Sequence, residues 1–193
     1  MKMPIVGAAY RSRSLNMASQ QCINLYPEIC EVDQSVVALY GTPGSRKLCT
    51  LPGEGGIRAV YTPSSGKLIA VRGDTVYRID GNWNYVACIG TLLTKSGPVS
   101  IADNGTIAAI VDGNYGYTMN LATSVVELIT SESFNGGANV VQFLDGYFVF
   151  NRPNTQVFFW SDLYSSNVDG LSFASAEGAP DVLVSLIVDH REC

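Results

Sequence analysis

Five aspartates, Asp103, Asp112, Asp145, Asp162 and Asp189, stand at the ends of apolar runs, mostly beside Gly or Asn. Paired carboxylates of this kind cleave glycosidic bonds when roughly 5 to 10 Å separates them, and a ring of them can hold calcium. The same residues have a simpler use. An Asp at a strand end accepts hydrogen bonds from the backbone of its own turn, and Asp103-Asn104-Gly105 and Asp145-Gly146 invite that. One repeated turn explains all five positions at once, so the turn reading is preferred. Other chemistry lacks its parts. The single histidine, His190, sits beside Arg191 and Glu192 and reads as a solvated strand-end residue, so a nucleophilic triad has no base. Ser65-Gly66-Lys67 runs into Leu68 where a phosphate loop needs Ser or Thr, and Gly53-Glu54-Gly55-Gly56 lacks the third glycine of a dinucleotide fingerprint. Asn104-Gly105-Thr106 is a formal glycosylation sequon that only an exported chain could use. No catalytic residue, cofactor or metal ligand is expected.

Cys22, Cys30, Cys49, Cys88 and Cys193 contain no C-x-x-C or C-x-x-H pair, which argues against zinc. They read as reduced thiols, most of them small core residues, in a chain made in a cytoplasm. The basic residues scatter except at the start, where Arg11 and Arg13 cluster with Lys2 and Tyr10. Arg11, Arg13 and Tyr26 are the candidate partner-facing residues. The cluster suits phosphate or an acidic partner as well as it suits a solvated strap.

The elements that must position these residues are strands. The 193 residues are 47% hydrophobic and only 15% charged, against about 25% charged in ordinary domains. That excludes a disordered tail and a charged coiled coil. A net charge of -5 argues against wrapping nucleic acid through the overall field. No apolar run reaches the ~18 residues of a membrane span, and the N-terminus lacks the apolar stretch of a signal peptide. Residues 1–55 read as an extended strap, with a strand-like run at Val36–Tyr40 and a turn at Gly41–Gly44. From Gly56 the chain is a succession of short apolar runs separated by Gly-rich turns.

The runs repeat. Gly56–Val60, Gly97–Ile101, Asn139–Phe143 and Val184–Val188 each open a module, and Asp103, Asp145 and Asp189 close the first strand in the last three. Second strands follow at Leu68–Val71, Ile107–Val111 and Tyr147–Phe150, then aromatic third strands near Tyr77, Tyr117 and Phe158–Trp160. A spacing of roughly 40 to 45 residues is that of a four-stranded propeller blade. The expected fold is therefore all-β, with propeller-like four-stranded modules over 56–193, the last one truncated, behind the strap. A β-sandwich is the alternative.

Several blocks resemble the packaged-DNA stabilisation proteins of short-tailed bacteriophages. They include Tyr10–Ser14, Gln21–Tyr26, Leu39–Gly44, Ser96–Gly105, Phe143–Asn151, Phe173–Gly178 and Leu183–Glu192. The resemblance implies a non-enzymatic virion protein of the tail or portal region. It implies a homo-oligomeric ring below the portal that helps to close the channel and retain packaged DNA. The implied partners are its own subunits and the portal or other tail-machine proteins, with packaged DNA nearby and no membrane. A carbohydrate-processing or carbohydrate-binding propeller is the alternative function. Family members continue past His190-Arg191-Glu192, so the chain is expected to be a fragment. Its last strand, over 181–193, is then expected either to recruit another copy or to be poorly ordered.

Overall fold

The computed structural model describes residues 23–29, 37–131, 134, 136–178 and 181–189. They are almost entirely β, with no α-helix among them. The chain divides into two compact units, Met1–Lys47 and Leu48–Cys193.

In the first unit, β1 (Leu25–Ile29) pairs antiparallel with β2 (Val37–Gly41). A strand was expected near β2 and none at β1, which contains Pro27, a residue without the N–H a ladder uses. The register explains the exception. Thr42 N donates to Asn24 O at 3.0 Å, which makes Asn24 and Thr42 a hydrogen-bonded pair. Pairs alternate along an antiparallel ladder, so Pro27, opposite Leu39, falls at a non-bonded position with its nitrogen turned away from β2. Tyr26 and Tyr40 face each other on one side of the ribbon, and Leu25, Pro27 and Leu39 occupy the other.

The second unit holds three four-stranded antiparallel meanders. Blade one is β3 (Ile57–Tyr61), β4 (Leu68–Arg72), β5 (Thr75–Ile79) and β6 (Tyr85–Thr91). Blade two is β7 (Ser100–Asp103), β8 (Ile107–Val111), β9 (Gly116–Asn120) and β10 (Val126–Leu128). Blade three is β11 (Val141–Leu144), β12 (Tyr147–Asn151), β13 (Val157–Trp160) and β14 (Phe173–Ser175). First strands begin at residues 57, 100 and 141, an interval of about 42 residues, as the repeat requires. β7 neighbours both β3 and β11, so the first strands lie side by side, as on the inner rim of a propeller.

Blades stack face to face, and alternation along each middle strand supplies both faces. On β8, Ala108 and Ile110 enter the seam with blade one, beside Ile69, Val71, Val76 and Met119. Ala109 and Val111 enter the seam with blade three, beside Phe148, Phe150 and Phe159. Burial on both sides is why Ile107–Val111 reads as an unbroken apolar run. Phe150 and Phe159 stack at 5.1 Å, and Phe134 meets both edge-on. The far face of blade one is covered by the entering chain: Leu51 packs with Ala70, Tyr77 and Ile79, and Tyr77 Oη donates to Pro52 O at 2.9 Å.

The expected strand at Val184–Val188 is corrected. Residues 182–188 form no ladder. They run along blade three on isolated hydrogen bonds: Leu183 N to Thr155 O (2.8 Å), Asn151 Nδ2 to Leu183 O and Gln142 Nε2 to Leu186 O (both 3.4 Å). An apolar β-prone run becomes a strand only against a partner edge, and here it lies against side chains and a loop instead.

Two substitutions test this stack. Phe150→Ala should cost about 3 to 5 kcal/mol in chemical denaturation, because the aromatic cluster cannot collapse around the space. Gly90 has φ of +105°, and a Cβ there would lie 2.2 Å from Val126 O, where Ile89 bridges Val125 across the outer seam. Gly90→Ala should cost at least about 2 kcal/mol, with protection from hydrogen exchange lost first at β6 and β10.

Candidate assembly surfaces and the residues at the blade seams

The aspartates singled out by their spacing hold turns and seams. Asp112 is 6% exposed, and its carboxylate accepts from the backbone N–H of Asn114 (3.1 Å) and Tyr115 (2.8 Å), closing the β8–β9 turn. It also accepts from Thr94 Oγ1 at 2.6 Å and Tyr117 Oη at 3.0 Å. Asp162 holds Asn167 Nδ2 at 2.9 Å within its own loop. Asp145 and Gly146, with φ of +47° and +95°, form the two-residue turn between β11 and β12. Asp189 is the last described residue and makes interactions of its own. Among the described residues, no group of three His, Cys, Asp or Glu side chains is placed to hold a metal.

Asp103 does more than cap a turn. It accepts from Gly105 N at 2.9 Å in its own hairpin, and from Tyr61 Oη at 2.6 Å and the Ser64 hydroxyl in blade one. Burial alone would raise its pKa, but the bonds from Ser64, Tyr61 and Gly105 outweigh that and hold it below the usual carboxylate range. Burial, with the bond to Asp103, pushes the Tyr61 phenol up to about 12.

The residue that sequence reasoning missed is Arg58, a cation inside the first strand of blade one. Its Nε donates to Gly97 O (2.8 Å), and Nη1 donates to Gly73 O and Thr94 O (both 2.8 Å). Nη2 donates to Thr94 Oγ1 (2.8 Å) and Ser96 O (2.9 Å), so all five guanidinium donors are used. The Thr94 hydroxyl passes the chain on to Asp112, which meets Tyr117. Burial lowers the Arg58 pKa, and the charges of Asp112, Tyr117 and Asp74 oppose that. The available signal was a lone arginine between Ile57 and Ala59 in an apolar strand.

Of the candidate partner-facing residues, Arg11 and Arg13 lie outside the described residues, as do Cys22, Cys30, Cys193 and His190. Cys49 and Cys88 are free thiols, and burial pushes Cys88 up to about 11. Tyr26 sits on β1, 48% exposed, its ring stacked on Tyr40 at 5.7 Å. The ribbon's other face shows Leu25 and Leu39, also exposed. A two-stranded ribbon buries neither face by itself, so both remain open to a partner. On the propeller unit, Val60 of the first blade and Val184 and Ile187 beside the third are exposed apolar side chains at the two ends of the stack.

The Tyr61–Asp103 pair sets a pH window. The depressed carboxylate contributes stability above the ordinary carboxylate pKa of ~4, and this is lost as pH falls through its lower folded value. The raised phenol contributes below ~10, and this is lost as pH climbs towards about 12. Stability from thermal melts should be flat from just above the carboxylate limit until the raised Cys88 thiol, ordinarily near 9.0, begins to cost stability. Asp103→Asn should lower the plateau and make the acid limb shallower.

No curated protein sequence matches the chain. Among solved structures, the crystal structure of selenomethionine-substituted virginiamycin B lyase from Staphylococcus aureus aligns with a TM-score of 0.49 at 14% identity, over 75% of this chain. The chain spans 47% of that structure's length. The profile of the family described as "Bacteriophage P22 Gp10, beta-propeller" matches residues 1–193, the whole chain. With that match on a fold of stacked four-stranded blades, the chain belongs to the phage P22 Gp10 β-propeller family, the phage stabilisation proteins.

Proposed function

We propose that this protein is a structural part of the phage particle, with its own copies forming a ring below the portal that helps to close the channel and retain packaged DNA. The family match over the whole chain carries this reading. The work is mechanical and needs no catalysis, cofactor or metal. The carboxylates best suited to chemistry are spent on turns and seams, which is what a stiff building block requires. Its partners are further copies and the portal or tail-machine proteins, and its place is the tail and portal region of a virion assembled in the host cytoplasm. We take residues 1–55 as an assembly arm whose last residues, Leu51 and Pro52 among them, are anchored on blade one, and residues 56–193 as the blades.

Arg11, Arg13 and Tyr26 are proposed as partner-facing residues of the arm. The exposed Tyr26–Tyr40 face suits contact with a neighbouring subunit, because buried aromatic area dominates protein interfaces. An acidic net charge of -5 discourages DNA from adhering to the channel wall.

Two measurements test the reading. A phage lacking the gene should package DNA and then lose it, whereas stably filled heads from that infection would refute the retention role. Tyr26→Glu should weaken assembly, measured by analytical ultracentrifugation, by about tenfold or more while the blades keep their melting temperature. Unchanged assembly would remove Tyr26 from the interface.

A further inference from the structure

One cleft in the blade stack gathers charge that the fold does not use. It lies on the seam between blades one and two, encloses about 220 Å³, and is lined by Lys67, Arg78, Ile79, Asp80, Asn84, Val86 and Ser124. At ~30 Å³ per water, that is room for about seven waters or one small hydrated ion. Most other cations of this unit are committed. Arg58 and Arg72 donate to backbone carbonyls, Arg152 lies over the Phe159 ring, and Lys95 pairs with Asp74 at 3.5 Å.

Arg78 and Lys67 differ. Among the described residues, the half-buried Arg78 guanidinium donates one hydrogen bond, from Nη1 to Ser124 Oγ at 2.6 Å, leaving Nε and Nη2 without an acceptor. Lys67 makes no ion pair or hydrogen bond among those residues; its charge is felt by Asp80 at longer range. Asp80 does not neutralise the cleft. Its carboxylate accepts from Asn82 N (2.9 Å), Asn84 N (2.9 Å) and Asn84 Nδ2 (3.1 Å). Two cations against one acid leave the cleft positive within a protein of net charge -5. The Ser124 hydroxyl, accepting from Arg78, keeps its own proton to donate.

We infer that this cleft binds a phosphate group, held by Arg78, Lys67 and Ser124. The donors come from three separate segments: strand β5, the β3–β4 turn and the β9–β10 turn of the next blade. Donors arriving from different sides suit a tetrahedral oxyanion with several acceptors. A planar carboxylate would be satisfied by the guanidinium fork alone. Ligand held there ties blade one to blade two at their outer ends, where Ile89 bridges Val125 and Arg78 reaches Ser124. The phosphate is either a free ion or a group on nucleic acid.

The test is calorimetric titration of inorganic phosphate into the full chain at low ionic strength. Saturable binding is expected, with a rise in melting temperature. K67Q and R78Q should each weaken affinity about tenfold, while K95Q leaves it unchanged. Lys67 is an exposed turn residue, so K67Q keeps the test valid even if R78Q fails to fold. A 5′-phosphorylated oligonucleotide that competes identifies nucleic acid as the source. One that does not compete identifies the free ion, and either result supports the site. Absence of saturable binding, an equal loss in K95Q, or displacement by equimolar acetate would overturn the inference.

Discussion

A guanidinium with all five donors occupied sits where the first blade meets the connection to the second. The carbonyls Arg58 holds belong to Gly73, Thr94, Ser96 and Gly97, so one side chain fixes both the β4–β5 turn and the crossover that delivers β7. Lysine could not replace it, because an ammonium is a point donor and these acceptors are arranged around a planar fork. Everything downstream follows from where β7 starts. β7 sets the hairpin that carries Asp103 back to Tyr61, and β8 presents alternate side chains to two seams. The arginine is costly to desolvate, and the Thr94–Asp112–Tyr117 chain supplies compensating charge through one hydroxyl.

Much of this was legible in the sequence. Strands buried on both faces, such as Ile107–Val111 and Tyr147–Asn151, show as solid apolar runs, and the turns between them are spelled out by Asp145-Gly146 and Ser65-Gly66. The recurrence of those runs marks the blades in the sequence itself. Where the reading fell short, the cause is physical. Arg58 has backbone carbonyls for partners, and carbonyls leave no mark on a sequence. The Asp103–Tyr61 contact spans 42 positions between different blades, so spacing within a turn could not disclose it. Residues 184–188 have the composition of a buried strand, but composition does not report whether a partner edge is present. β1 was hidden by Pro27, whose exclusion from strands holds only where its nitrogen faces a neighbour.

The two seams divide the labour differently. The first is mixed: aliphatic contacts around Ile110 and Met119 are framed by the polar chains at Arg58 and Asp103. The second is dominated by aromatic rings, with Phe134 edge-on to the Phe150–Phe159 stack and Arg152 over the outer ring at 5.4 Å. Polar bonds fix direction and rings supply area, and together they make a stack that resists bending between blades.

Proline 27 has a meaning beyond its tolerance in β1. Its ring nitrogen points outward from the ribbon, so the free rim of β1 lacks a donor at its middle position. A third strand cannot zip onto that rim in register. That rim is thereby closed to the open-ended, sequence-tolerant growth that backbone pairing permits. On that side the ribbon offers side-chain faces in place of a continuous row of backbone donors.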